Sequence, residues 1–358
     1  MERDIDSLLR NAVALDATDV HLKVGSSPIV RTGGELRRLN DFGTLKPEDT
    51  QAYAEALFTE KAAADFEANG TADFAYGKQE LGRFRITAFR QRGSVSLVLR
   101  RVVSGSRSFS DLGLPRITEK LAASNSGLVL ITGPSGSGKT TTVSSILDWI
   151  NTNQTRAILT IEDPIEVLHP DKNSVVVQRE VGVDTPDMHT AVRSALRHDV
   201  DVIMLSEIAD HETARAALGA AETGHLVLAT MRTKDPAETV ARFVSLFPES
   251  QQPVARAMLA SQLQAVISQL LLDGPTGRVL TCEVLTNNER AQDWMLRAGD
   301  ASQLYDIIKD GGFYGMQTFD QAFVRAITDG ALEVETVLPH ARNAHELRAK
   351  VMASGVAV

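Results

Sequence analysis

A glycine-rich octapeptide, Gly133-Pro134-Ser135-Gly136-Ser137-Gly138-Lys139-Thr140, matches the phosphate-binding pattern G-x-x-x-x-G-K-T. In such a loop the backbone N–H groups surround a di- or triphosphate, the lysine reaches the β- and γ-phosphates, and the threonine hydroxyl can hold Mg²⁺. The apolar run 127–132 before it predicts a buried parallel strand. Residues 141–150, beginning with Thr141, predict a helix whose N-terminus faces the phosphates. This order of strand, loop and helix favours an ATP site over a chance glycine-rich turn.

Composition limits the classes of protein that remain. A length of 358 residues predicts two or three domains. The single cysteine, Cys282, excludes a disulfide within the chain and a four-cysteine zinc site. The charged N-terminus lacks the apolar core of a signal peptide, and no apolar run approaches the roughly 20 residues that span a bilayer. We therefore expect a cytoplasmic protein that meets a membrane only through partners.

Net charge argues against one class of ligand. The chain carries a formal charge of −9, which disfavours nonspecific binding of nucleic acid. Basic and acidic residues balance in the first 103 positions, so the acidic excess lies in the rest. We expect no nucleic-acid partner.

The pattern of apolar residues predicts two domains. Residues 1–103 are typical of a small α+β domain, and the polar segment 104–108 predicts a linker. Residues 109–358 alternate between strand and helix patterns, which predicts an α/β fold with a parallel sheet covered by helices. Within that part, Thr185 is the predicted N-cap of a helix, and residues 254–272 predict one long amphipathic helix.

Two acidic segments follow predicted strands of the second domain. Glu162 and Asp163 stand at the carboxyl end of one strand, where ligands of a doubly wound sheet bind. We expect Glu162 to face Mg²⁺ or the attacking water, although a solvated turn is the alternative. Glu207 ends the strand 202–205 in the manner of a Walker B carboxylate, which polarises water or holds Mg²⁺ through water.

His225 stands on a turn that enters the strand 226–230. It could contact the γ-phosphate or transmit its presence to a neighbouring segment. A single histidine in such a place is often an ordinary structural residue, so both interpretations stay open.

Arginine is concentrated in the first domain, where residues 81–103 contain six arginines and no acid. Arg83 and Arg85 lie two apart on a predicted strand and therefore share a face. Such a cluster can bind nucleic acid, pair with acids, or reach a phosphate held by a neighbouring subunit as an arginine finger in trans. A solvated basic sheet face is the alternative.

Taken together, these motifs resemble the type IV pilus retraction ATPases of the secretion-ATPase superfamily over nearly the whole chain. The segments that carry the resemblance are Ala17–Leu22, Arg31–Leu36, Gly82–Arg85, the phosphate-binding loop, Ile161–Glu166, Gln178–Gly182, Val202–Glu207, Thr223–Val227 and Gly315–Asp320. The resemblance implies a PAS-like N-terminal domain, a RecA-like ATPase domain with a helical C-terminal subdomain, and a hexameric ring. It also implies ATP and Mg²⁺ as ligands, with the next subunit's N-terminal arginines closing over the nucleotide, and an inner-membrane platform protein as partner.

Several positions depart from the family's pattern. Ser206 stands where the family has glycine, Ala209 where it has arginine, and Arg232 where it has a second histidine. Asp199-Val-Asp201 and residues 289–298 also differ from the corresponding family segments. A weakly active accessory ring subunit that regulates a paralogous motor therefore remains an alternative to the motor itself. A RecA-like nucleic-acid motor is disfavoured by the acidic balance. An extension ATPase is disfavoured because many of them resemble one another in a four-cysteine metal site, which a single cysteine cannot form.

Overall fold

The computed structural model describes residues 4–354, apart from the side chains of Val103 and Ser104. The chain divides into two compact units, Met1–Ser104 and Gly105–Val358. The division lies at the start of the segment 104–108 that the sequence predicts as a linker. Within the described range no helix is both long and apolar enough to cross a bilayer.

The first unit is an antiparallel sheet with helices packed on it. Its sheet has the strand order β3-β2-β1-β6-β5-β4. In chain order its elements are α1 (Ile5–Ala14), β1 (Asp19–Leu22), β2 (Ile29–Thr32), β3 (Glu35–Arg38), a 3₁₀ turn (Asn40–Phe42), α2 (Pro47–Leu57), α3 (Glu60–Asn69), β4 (Thr71–Lys78), β5 (Gly82–Gln91) and β6 (Ser94–Ser104).

Strand β5 shows why this sheet has one buried face. Phe84, Ile86 and Ala88 alternate along it and are almost completely buried. Arg83 and Arg85 flank Phe84 and lie on the opposite face, as the period of two predicts. One face of β5 therefore packs into the core, and both arginines lie on its other, polar face.

The second unit contains the remaining elements. They are α4 (Phe109–Leu112), α5 (Ile117–Ala122), β7 (Gly127–Thr132), α6 (Lys139–Asn153), β8 (Ala157–Glu162), β9 (Val167–Leu168), β10 (Val175–Glu180), α7 (Met188–Ala195), β11 (Val202–Leu205), α8 (His211–Glu222), β12 (Leu226–Met231), α9 (Pro236–Ser245), a 3₁₀ turn (Glu249–Gln251), α10 (Gln252–Gln262), β13 (Leu263–Gly274), β14 (Gly277–Thr286), α11 (Glu289–Leu296), α12 (Ala301–Asp310), a 3₁₀ turn (Gly312–Tyr314), α13 (Phe319–Thr328), α14 (Val334–Val337), a 3₁₀ turn (Leu338–His340) and α15 (Ala344–Ala353).

The sheet of the second unit has the order β10-β8-β11-β12-β7-β13-β14. Every neighbouring pair is parallel except β13 and β14. On β7, Leu128 and Leu130 pack into one apolar cluster while Val129 and Ile131 pack into another. Helices therefore cover both faces, which confirms the predicted α/β class and explains the continuous apolar run of β7.

The prediction of one helix over residues 254–272 is wrong. Helix α10 ends at Gln262, and β13 begins at Leu263 and pairs with β7. Val266 and Ile267 are β-branched and completely buried, because β13 lies inside the sheet between β7 and β14. A strand buried on both faces does not alternate between polar and apolar residues. The apolar residues of β13 therefore look like a continuation of the helical pattern of α10.

The predicted start of α7 is also shifted. Asp187, not Thr185, is the N-cap, because its side chain accepts the N–H of Thr190 at 2.7 Å. The Thr185 hydroxyl donates instead to the carbonyl oxygen of Asp187 at 3.1 Å. Aspartate at this position satisfies a free N–H group of the first helical turn.

Candidate active site

The phosphate-binding loop connects β7 to α6 at the carboxyl edge of the parallel sheet. Gly138 has a φ of +88° and begins α6 as its N-cap. At Gly133, with a φ of +145°, an added Cβ would lie 2.5 Å from both the Gln269 carbonyl oxygen and the Ser137 Oγ. Only glycine therefore fits at the start of the loop.

The loop also has a polar atom that a phosphate could satisfy. The Ser137 Oγ is buried and has no hydrogen-bond partner among the described residues. Buried hydroxyl groups without partners are uncommon in folded proteins, and an absent ligand or water is one explanation for them. With the close fit at Gly133, this hydroxyl shows that the loop's residues suit a bound polyphosphate.

Lys139 lies across the loop. Its Nζ donates to the carbonyl oxygens of Gly133 and Pro134, each at 2.8 Å. Burial lowers the pKa of the Lys139 ammonium, the carboxylates of Glu207 and Glu166 oppose that shift, and Arg232 adds to it. Glu207, Glu166 and Arg232 are therefore the charged side chains that influence the pKa of Lys139 within the unit.

A buried polar network supports the loop from below. Gln269 donates through Nε2 to the Thr142 Oγ1 at 2.6 Å and so ties β13 to α6. The hydroxyls of Thr132 and Ser268 are 2.8 Å apart and link β7 to β13. Ser268 and Gln269 are not recognisable as site residues from the sequence, because the pattern of their segment predicts a helix.

Glu207 follows the end of β11 and pairs with Arg232, which follows the end of β12. The Arg232 Nη2 and Nε lie 2.8 Å and 3.1 Å from the same oxygen, Oε2 of Glu207. Both strands are parallel and adjacent, so their carboxyl ends bring these residues together. The structure thus places Glu207 as predicted and adds Arg232, which the sequence showed only as a departure from the family pattern.

Glu162 occupies the predicted strand end, but its carboxylate is engaged internally. Oε1 accepts from the Thr160 Oγ1 at 2.6 Å and the Gln178 Nε2 at 3.0 Å, and Oε2 accepts the N–H of Glu166 at 3.4 Å. Burial raises the pKa of Glu162, and these three hydrogen bonds oppose the shift. Glu162 therefore holds the loop after β8 in place. The carboxylate of this loop that influences the pKa of Lys139 is that of Glu166, not that of Glu162.

Ser206 connects two strand ends next to Glu207. Its Oγ accepts the N–H of Asp163 at 3.2 Å, and its carbonyl oxygen accepts the Thr230 hydroxyl at 2.5 Å. The side chain that replaces the expected glycine thus joins the end of β11 to that of β8. The contact with β12 is made by the backbone carbonyl, which glycine would also provide.

Contact of His225 with the γ-phosphate, one of the interpretations that the sequence leaves open, does not fit the geometry of the chain's own site. Leu226 pairs with Gly127 and Met231 with Thr132, so His225 precedes β12 at the edge opposite the loop. Six strand residues at about 3.3 Å each separate the two edges by roughly 20 Å. The His225 Nδ1 instead lies 3.0 Å from the Ala220 carbonyl oxygen and closes the end of α8.

Arg83 and Arg85 lie in the first unit, on the polar face of β5. Arg85 pairs in register with Arg100 of β6, whose Nε donates to the Asp19 Oδ1 at 2.9 Å. Burial raises the pKa of Asp19, but the bonds from Arg100 and Thr18 outweigh it and lower the pKa overall. Asp19 thus compensates part of the positive charge, and the role of Arg83 and Arg85 in trans stays a prediction.

Comparison with known proteins places this site in a family. The family model described as type II/IV secretion system protein matches residues 78–290. The type IV pilus retraction ATPase PilT of Pseudomonas aeruginosa is 38% identical over 95% of this chain and 98% of its own. The type IV pilus ATPase PilU of the same organism is 35% identical over 96% of this chain and 90% of its own.

Solved structures agree with the sequence matches. The crystal structure of the pilus retraction motor PilT with bound ADP superposes with a TM-score of 0.88 at 40% identity, covering 97% of this chain and 99% of that one. The ATPase DotB of Legionella pneumophila superposes with a TM-score of 0.75 at 26% identity, covering 94% and 95% of the two chains. The chain therefore belongs to the type II/IV secretion system protein family and, within it, to the PilT family of type IV pilus retraction ATPases.

Proposed function

We propose that this chain is an ATP-hydrolysing, hexameric motor of a type IV pilus, of the retraction type. The observation that carries the proposal is the convergence of Lys139, Glu207 and Arg232 at the carboxyl edge of one parallel sheet. Ligands of such sheets bind at that edge, and phosphoryl transfer needs a phosphate-binding lysine beside a carboxylate. The names of two relatives, a retraction ATPase and a twitching motility protein, support the same biological role.

Each residue has a role that follows from its position. The backbone of residues 133–138 and the ammonium of Lys139 would hold the β- and γ-phosphates of ATP. Thr140, on the first turn of α6, would hold Mg²⁺ directly, and Glu207 would hold it through water; the metal neutralises charge that develops on the phosphates. Glu207 would also orient the attacking water, and Thr141 would line the nucleotide site next to Thr140.

Two further parts of the proposal concern the assembly. Arg83 and Arg85 would reach the γ-phosphate held by a neighbouring subunit, which makes a ring necessary for full activity. The motor would work in the cytoplasm, peripheral to the inner membrane, through a platform protein of the pilus machinery.

Turnover and oligomeric mass, measured together, test the proposal. The purified full chain should hydrolyse ATP in the presence of Mg²⁺ and elute with the mass of a hexamer. Chelation of Mg²⁺ should stop hydrolysis. A protein that binds ATP and forms a ring, yet hydrolyses no ATP above the protein-free blank, would overturn the motor assignment.

The second candidate is an accessory ring subunit that binds ATP and regulates a paralogous motor. The ion pair between Arg232 and Glu207 favours it, because the pair engages the carboxylate that should orient water. Mixing the chain with a paralogous ATPase of the same pilus system would distinguish the two. The accessory role predicts little turnover alone and a changed turnover of the partner, while the motor predicts turnover without any partner.

A further inference from the structure

A second concave site of the same unit lies among α5, α12, α13 and α15, outside the nucleotide site. It is an open cleft of about 640 Å³. Its apolar floor includes Ile117, Met316 and Val324. The backbone of Gly315 packs closely against Ile117, since a Cβ added at Gly315 would lie 2.9 Å from the Ile117 Cβ.

The charged residues of this cleft all have the same sign. Four cations line it, one from the start of α5 and one from each of the other three helices: Arg116, Lys309, Arg325 and Lys350. Among its described lining residues there is no aspartate or glutamate. In a chain of net charge −9 such a one-sided lining is unexpected.

These cations are weakly engaged by the protein itself. The side chains of Arg116 and Lys309 make no hydrogen bond or ion pair with any residue that the structure describes. Arg325 reaches only the amide oxygen of Gln317, at 3.4 Å. Lys350 lies 3.9 Å from the buried carboxylate of Asp320, which also accepts from the Tyr305 hydroxyl at 3.1 Å. The positive charge of the cleft is therefore available to a ligand.

Two aromatic side chains stand beside the cleft. Phe313 is 95% exposed and Tyr314 is 53% exposed, and their rings meet edge to face at 5.3 Å. They lie between Gly312 and Gly315, which both line the cleft. Exposed aromatic residues next to a charged, concave surface are typical of protein interfaces.

We propose that this cleft binds an extended acidic peptide segment of a partner protein, one that carries several carboxylates and at least one large apolar side chain. The carboxylates would pair with Arg116, Lys309, Arg325 and Lys350. The apolar side chain would cover the floor at Ile117 and Met316 and contact the ring of Phe313.

The arrangement of the cations favours a peptide over a compact phosphate. A phosphate group is held by donors that converge on one point, commonly backbone N–H groups of a glycine-rich loop or a helix N-terminus. Here the donors are four long side chains from four separate helices, around an apolar floor. Spaced charges and an apolar floor match a ligand whose own charges are spaced along a chain.

Fluorescence polarisation with the full-length protein tests this proposal. The probe is a labelled peptide about ten residues long of alternating glutamate and leucine, and the control probe alternates lysine and leucine. The acidic probe should bind and the basic one should not, and rising NaCl should weaken binding because the contacts are exposed ion pairs. The variant Lys309→Glu/Arg325→Glu should weaken binding by at least about tenfold.

A matched variant controls for net charge. Arg278→Glu/Arg290→Glu changes the charge by the same amount at two exposed arginines of the same unit outside the cleft, and it should bind the peptide like the unaltered chain. Thermal unfolding and ATP binding of both variants verify that they are folded.

Other results would overturn the proposal. Absence of peptide binding, or equal weakening in both variants, removes the peptide site. Full displacement of the peptide by equimolar pyrophosphate identifies a small-anion site. Loss of binding to phosphatidylglycerol vesicles in Lys309→Glu/Arg325→Glu, with peptide binding unchanged, identifies a membrane contact. A smaller oligomeric mass of this variant would identify a second copy of the chain as the occupant.

Discussion

The guanidinium group of Arg232 donates two hydrogen bonds to one oxygen of Glu207, at 2.8 Å and 3.1 Å. The Arg232 side chain is 69% exposed and that of Glu207 is 30% exposed. Ion pairs this accessible to solvent contribute only about 0–1 kcal/mol. The pair can therefore exist without nucleotide and break at small cost when phosphates and Mg²⁺ attract both groups.

The first prediction concerns Glu207. Glu207→Gln should lower Mg²⁺-dependent ATP turnover by about a hundredfold or more, because an amide cannot accept a proton from the attacking water. ATP affinity should stay within about threefold, since the loop and Lys139 are unchanged. Single-turnover hydrolysis and binding of a fluorescent ATP analogue measure the two quantities.

Glu222→Gln is the matched control for this substitution. Glu222 is exposed at the end of α8, at the sheet edge away from the loop, and its variant should hydrolyse ATP normally. Unchanged turnover in Glu207→Gln would remove Glu207 from the mechanism.

The second prediction concerns the partner of Glu207. Arg232→His should raise turnover by up to about fivefold, because loss of a pair worth at most about 1 kcal/mol frees the carboxylate. The melting temperature should hardly change, because the pair is exposed. If turnover falls instead, Arg232 acts on the nucleotide as a cation, and the ion pair is not a restraint. Steady-state kinetics and calorimetry on the same samples separate these outcomes.

The sequence predicted that the phosphate-binding loop lies between a buried strand and a helix, and the structure has this order in β7 and α6. The position of Glu207 followed from the same kind of pattern, since a carboxylate after a short apolar strand lies at the carboxyl edge of a parallel sheet, and its catalytic role stays a prediction. His225 was predicted on the turn that enters β12, and the structure has it there, but its own segment does not show how far that turn lies from the phosphate-binding loop. Only the register of Leu226 with Gly127 puts it on the far edge.

The features that the sequence did not predict depend on tertiary packing. β13 was predicted as part of a helix because a strand covered on both sides lacks polar alternation. Arg232 and Glu207 are separated by a helix and a strand, and no local pattern links them. One of the three internal hydrogen bonds of Glu162 comes from Gln178 of β10, so the availability of its carboxylate to Mg²⁺ could not be judged from its own segment.

The third prediction uses two glycines of the loop. Gly133→Ala should abolish nucleotide binding and destabilise the protein by several kcal/mol, because its Cβ would collide with the Gln269 carbonyl oxygen at 2.5 Å. Gly136→Ala is the control: its φ of +80° is also positive, but no atom lies within 4 Å of the added Cβ. Gly136→Ala should lower the free energy of unfolding by only about 1–2 kcal/mol. Equal losses in calorimetry and ATP binding would show that backbone conformation, rather than close contact, makes Gly133 necessary.

The fourth prediction tests the arginines of β5. Arg83→Ala and Arg85→Ala should each lower turnover of the assembled ring by about tenfold or more, as expected for charge stabilisation in trans. ATP affinity measured at protein concentrations that keep the chain monomeric should stay near normal. Arg38→Ala, at an exposed arginine of β3, is the control and should hydrolyse ATP normally. A large loss of monomer affinity would contradict a role in trans.

The fifth prediction concerns Glu283, a buried carboxyl in a cavity of about 500 Å³ near α13. Burial raises the pKa of Glu283 to about 7; the N–H of Phe319 opposes the shift, Asp235 and Asp320 add to it, and Arg342 opposes it. The folded state therefore prefers the protonated acid. The stability this gives is complete below pH 4.5 and is lost as the pH rises to about 7.

Glu283→Gln should remove this pH dependence, because the amide stays neutral and its oxygen can still accept the Phe319 N–H, which Glu283 Oε2 accepts at 3.0 Å. At pH 8 the variant should be more stable than the unaltered chain by roughly 3 kcal/mol, and at pH 5 the difference should be below about 1 kcal/mol. Calorimetric melting temperatures from pH 5 to pH 8 measure the difference. A constant difference across this range would mean that Glu283 keeps an ordinary pKa, because the cations of the cavity stabilise its carboxylate as strongly as burial opposes it.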